Sequence, residues 1–86
     1  MAILRMAVEK VMNPWLPIPL MWNGDSYIIT TEPVSDYQVR ITSISRYRNN
    51  QNVDGEELHF FDLDEQTRRA VIRQVNKRHK GMMVAL

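Results

Sequence analysis

From Tyr37 to Arg48 the residues alternate between two faces, with Tyr37, Val39, Ile41, Ser43, Ser45 and Tyr47 on one and Gln38, Arg40, Thr42, Ile44, Arg46 and Arg48 on the other. A strand of that length leaves a row of backbone donors and acceptors that only neighbouring strands can satisfy, so a sheet must lie at the centre of the fold. Ile44 sits on the polar side of this alternation. Either a bulge near Thr42-Ser43 restores it to the core, or an apolar spot stays exposed.

The neighbours are legible on both sides. Leu20-Met21-Trp22 and Ser26 to Thr31 flank Asn23-Gly24-Asp25, and Asn-Gly supplies the positive φ of a tight turn. Glu32-Pro33 reads as a break. Asn49 to Gly55 reads as a loop with its tip at Asp54-Gly55, leading into a further antiparallel strand over Glu57 to Phe61. Asp62 stands three residues before Glu65, as a helix start requires, and Gly81 stands where a left-handed terminator belongs, so a helix is expected over 63–80. At 100° per residue Arg5, Glu9, Lys10 and Asn13 share one arc and the apolar residues fall mostly elsewhere, which predicts an amphipathic helix over 2–12.

Pro14, Pro17 and Pro19 end that first helix and make 13–20 an extended crossing. Residues 82–86 form a tail with apolar, uncharged side chains, which either adds a strand to the sheet or meets a partner. The expected fold is one α+β domain over 1–86: an antiparallel sheet of three to four strands within 20–61, with an N-terminal helix (1–12) and a C-terminal helix (63–80) packed on one face. Roughly a quarter of the chain is Leu, Ile, Val or Phe, enough to bury a core.

The chain has no Cys, which excludes disulfide scaffolds, thiolate metal sites and cysteine nucleophiles. Asn50, Asn52, Asp54 and Gly55 open like a calcium loop, but the twelfth position is Phe61 and cannot ligate. Asp54, Glu56, Glu57, Asp62, Asp64 and Glu65 with His59 could ligate a hard metal; helix-start electrostatics and the spacings Asp64–Arg68 and Glu65–Arg69 explain the helical members instead. No nucleophile elbow or phosphate loop is present, so no catalytic residue, cofactor, metal or small-molecule substrate is assigned. His79 reads as a cation complementing the end of the helix. Arg5, Glu9 and Lys10 interrupt the first apolar stretch, which points away from a membrane and to a cytoplasmic protein.

Two surfaces remain. Trp15, Leu16, Ile18, Met21 and Trp22 in the proline ribbon, and Met82, Met83, Val84 and Leu86 in the tail, exceed what one thin helix face covers, and are candidates for a protein interface or self-assembly. Arg69, Arg73, Lys77 and Lys80 form a basic helix stripe, and Arg40, Arg46 and Arg48 a second basic face on the strand, as candidates for phosphate contacts. Helix, antiparallel strands, helix, together with Thr67-Arg68-Arg69-Ala70, resembles the order and the last-helix start of double-stranded-RNA-binding domains; the Gly-Pro and histidine pattern of that family's first strand loop is missing here. The resemblance implies a basic helix start that meets phosphates by shape. The leading expectation is a small non-enzymatic interaction protein, such as an accessory or inhibitory protein of a mobile element. Nucleic-acid binding through the basic helix is the alternative.

Overall fold

A two-residue hairpin turn needs positive φ, and this chain supplies it twice. The computed structural model describes residues 13–53 and 57–86. Asn23 (φ 51) and Gly24 (φ 82) join β1 (Ile18–Trp22) to β2 (Asp25–Ser35), with Trp22 opposite Asp25. Asn49 (φ 52) and Asn50 (φ 65) join β3 (Gln38–Arg48) to β4 (Gln51–Asn52), with Arg48 opposite Gln51. Asparagine is the side chain that best tolerates this left-handed backbone after glycine. The turn is thus at Asn49-Asn50; Asp54-Gly55, expected as the tip, lies outside the described residues.

Strands β1 to β4 are antiparallel neighbours in chain order. A fifth strand, β5 (Met83–Ala85), lies parallel to the start of β3, with Gln38 opposite Met83 and Arg40 opposite Ala85. It shares that side of β3 with β4. The apolar tail therefore completes the sheet.

Thr30 pairs with Ser43 and Thr31 with Ile41, so Thr42 has no opposite residue. This bulge decides the parity of Ile44. Val39 and Ile41 face inward before it, Ile44 does so after it, and Ile44 is buried. The α-helix α1 (Glu65–Arg78) covers this inner face, where Ala70, Val71 and Val75 meet a core that includes Ile18, Tyr27, Ile29, Val39 and Ile44. Both side chains of β1 that flank the turn side of this core, Leu20 and Trp22, pack against it as well.

Several expectations need correction. The described residues hold one helix and a mostly-sheet body of five strands, rather than three or four strands under two helices; the helix expected over 2–12 lies outside the described residues. A strand that follows the last helix also departs from the order shared with double-stranded-RNA-binding domains. Residues 57–61 are not a strand. Leu58 donates to the Ile44 carbonyl, then the chain curls into a 3-10 turn over Phe60–Asp62 so that Phe60 and Leu63 pack on the core. The helix starts later because Asp64, not Asp62, is its extended N-cap, with Thr67 Oγ1 bonded to the Asp64 carboxylate. It also ends earlier, at Arg78, before Gly81 (φ 80) turns the chain into β5. Glu32-Pro33 does not break β2: β1 pairs β2 only as far as Ile29, so Pro33 sits on an edge where no ladder donor is needed.

Candidate interaction surfaces

Two of the sheet's edge strands, β1 and β5, are built differently. In β1, Pro19 has no amide, and Gln74 of α1 donates its Nε2 to the Pro19 carbonyl at 3.0 Å. Arg78 donates to the carbonyls of Leu16 (2.9 Å) and Pro14 (3.3 Å) just before the strand. The ribbon's prolines thus delete donors while helix side chains occupy acceptors.

At β5 the Met83 amide donates to the Tyr37 carbonyl at 2.7 Å. Backbone direction alternates along a strand, so the amide and carbonyl of Val84 point away from β3, toward open space. Among the described residues no side chain hydrogen-bonds to the Val84 backbone. Met83 and Leu86 are 68% and 62% exposed, and Tyr37 beside them is 75% exposed. Tyr37 escaped the sequence reading because a parallel pairing between residues so far apart leaves no local signal.

The nine residues expected at an apolar interface do not form one patch. Ile18 is buried in the core, and Trp15, Trp22, Met82 and Val84 are half-buried against it. The Trp15 ring stacks on His79 with centroids 4.6 Å apart. The Trp22 ring lies 6.0 Å beneath the Arg73 guanidinium. Leu16 and Met21 are exposed at separate places on the β1 side, and Met83 and Leu86 on β5.

The helix stripe is real but partly engaged. Arg69, Arg73, Lys77 and Lys80 are all exposed; Arg69 pairs with Glu65 at 2.7 Å, and Arg73 rests on Trp22. Arg68 turns back to the Leu63 carbonyl at 2.9 Å. The expected basic face on the strand does not exist, because the bulge at Thr42 inverts the parity between Arg40 and Arg46. Arg40 lies opposite Glu32 and is ion-paired to it at 3.0 Å. Arg46 lies opposite Tyr27 on the inner side, lining a polar cleft of about 460 Å³ with Asp25, Asp62 and Thr67. Arg48 grips Asp25 through two bonds of 2.7 and 3.0 Å, which hold the Asp25 carboxyl below its ordinary pKa and raise that of Arg48.

His79 has a different role from the one expected. It is 4% exposed, bonded through Nε2 to Thr31 Oγ1 at 3.1 Å and stacked on Trp15. Burial, with the Arg78 charge adding to it, lowers its pKa, so it is a neutral imidazole wedged between helix end, ribbon and sheet. Among the described residues no three carboxylate or histidine side chains gather to hold a metal, and no helix is long and apolar enough to cross a membrane.

No family model, no curated protein and no solved structure matches this chain.

Proposed function

We propose that this is a small non-enzymatic interaction protein that takes up a protein partner by β-strand addition at β5. The observation that carries the reading is the contrast between a β1 edge that lacks a donor at Pro19, has the Pro19 carbonyl taken by Gln74 and keeps only the outward groups of Met21, and a β5 edge whose Val84 amide and carbonyl face outward. Strand addition draws affinity from backbone bonds and specificity from alternate side chains, and Met83, Leu86 and Tyr37 supply exposed apolar contacts there. Arg69, Arg73 and Lys77 of α1, with Lys80 just beyond it, support the competing reading of phosphate binding, weakened by the engagement of Arg69 and Arg73.

Displayed libraries of extended peptides, selected against the purified chain, test this. Selected peptides should slow hydrogen exchange at the Val84 amide and lose binding when Met83→Lys and Leu86→Lys are combined. Binders that protect another surface would overturn it. A steep loss of duplex RNA or DNA affinity with salt, flattened by Arg69→Ala, Arg73→Ala and Lys77→Ala together, would favour the phosphate reading instead.

A further inference from the structure

We infer that the strand added to β5 is β5 of a second copy of this chain, in a two-fold antiparallel pair centred on Val84. The inference rests on the reading of the β5 edge as the docking surface, and specifies its occupant. Three observations on this edge converge on self-pairing.

The first is which backbone groups are turned outward. Met83 bonds inward to Tyr37, so residues 82, 84 and 86 present their outward groups to a neighbour. Met82 spends its amide on the His79 carbonyl at 3.2 Å, within the turn that leaves the helix. Outward there remain the Met82 carbonyl, the Val84 amide and carbonyl, and the Leu86 amide. A two-fold axis at Val84 matches each with a complement: Val84 exchanges both bonds with Val84 of the other copy, and each Leu86 amide meets the other copy's Met82 carbonyl. Apart from the Leu86 carbonyl, whose counterpart amide at Met82 is taken, the set is complementary to itself.

Charge is the second. The side chains of residues 82–86 carry none, and the nearest basic side chain, Lys80, falls outside the paired stretch in both copies. Val84 meets Val84, Met82 meets Leu86, and Met83 meets Ala85, so that apolar side chains face each other on both sides of the joined sheet. The exposed Met83 and Leu86 are covered by this arrangement.

The third is closure. Joining two sheets at β5 leaves β1, and the length of β2 beyond Ile29, at each end of the combined sheet. Pro19 and Gln74 remove one donor and one acceptor from β1, and Pro33 one donor from that length of β2, so this side is a poorer template than β5. A pair that uses β5 of both copies leaves no β5 edge free, so this contact closes at two.

The interface is short, and places the dimer at the weak end of specific association, with a Kd on the order of 10 to 100 µM. Sedimentation velocity on the full chain from about 1 µM to about 500 µM should show reversible conversion to twice the mass. Hydrogen exchange across the same range should slow at the Val84 and Leu86 amides and leave Met83, already bonded to Tyr37, unchanged. Combining Met83→Lys with Leu86→Lys, both at exposed sites, should weaken association roughly tenfold or more with circular dichroism unaltered. If that variant misfolds, the exchange pattern of the unaltered chain still decides. A dimer with no added protection at Val84, or a variant that dimerises as before, overturns the inference. So does a monomer at every concentration; if selected peptides still protect Val84 in that monomer, the docking edge stands and only its occupant is wrong.

Discussion

The edge at β1 and the edge at β5 belong to one sheet, yet they solve the exposed-strand problem in opposite ways. At β1 Pro19 removes a donor and Gln74 of α1 takes its carbonyl, while Arg78 takes two carbonyls just before the strand, so that only Met21 keeps outward groups in β1. Its inward side chains Ile18, Leu20 and Trp22 anchor it in the core. At β5 a three-residue strand keeps its outward groups bare, and only Met82 and Val84 reach the core. The difference teaches that an unprotected edge here is not a general failing of a small sheet, since the same chain partly protects the other edge.

The largest effect that would sharpen this contrast is on stability. Ile18→Ala should cost about 2 to 5 kcal/mol in urea unfolding, because Ile18 is 2% exposed and registers against Ile29. Met83→Ala, on the other edge, should cost less than about 0.5 kcal/mol. Comparable losses at the two positions would show that β5 is as firmly built in as β1.

The joint that delivers β5 to its place comes next. Gly81 holds φ 80, and a Cβ there would meet nothing within 4 Å, so the cost of Gly81→Ala is backbone strain alone. It should destabilise the chain by about 1 kcal/mol and speed exchange of the Met83 amide more than that of any amide in β1. Uniform acceleration would separate the glycine from the seating of β5.

His79 closes the same joint from the core side, and its pKa is lowered in the fold. The unfolded chain therefore takes up the proton first as pH falls. Stability should be flat above the ordinary imidazole value near 6.5 and decline below it, until the folded state also protonates. His79→Gln should remove that slope. In a Trp22→Phe background, which also deletes a buried indole N–H without a partner among the described residues, Trp15 emission should report the protonation, with its midpoint below 6.5. A midpoint above that value would mean that the ring is a cation in the fold.

How much of this was readable beforehand follows the range of each interaction. Asn23-Gly24 and Gly81 were legible because positive φ is a local demand on one residue. The parity fault at Ile44 announced a bulge, although not which of two outcomes it would take; burial of Ile44 required β2 and α1 to be in place. Because the strand was read without that bulge, Arg40, Arg46 and Arg48 were assigned one face that they do not share. Phe60 and Phe61 carry strong strand propensity, yet packing of Phe60 and Leu63 on the core turned the segment into a 3-10 turn. Met82, Met83, Val84 and Leu86 were recognised as surplus apolar side chains, but their parallel pairing with β3, and so the outward aim of Val84, is non-local and has no sequence signature.

The smallest expected change in stability tests the contrast most directly. Pro19→Thr with Gln74→Ala restores a donor to β1 and frees the acceptor beside it. Thr suits a strand, but proline restricted the unfolded chain and the Gln74 bond is lost, so the net change should stay within about 1 kcal/mol. Association should change far more. With both edges open, each copy can pair at β5 and at β1, and sedimentation should show species larger than two copies that grow with concentration. Adding Met83→Lys and Leu86→Lys should return the series to pairs joined only through the new β1 edge. If the doubly substituted chain instead stops at two copies, the prolines and Gln74 are not what protects β1, and the closure that limits assembly must come from the shape of α1 over that edge.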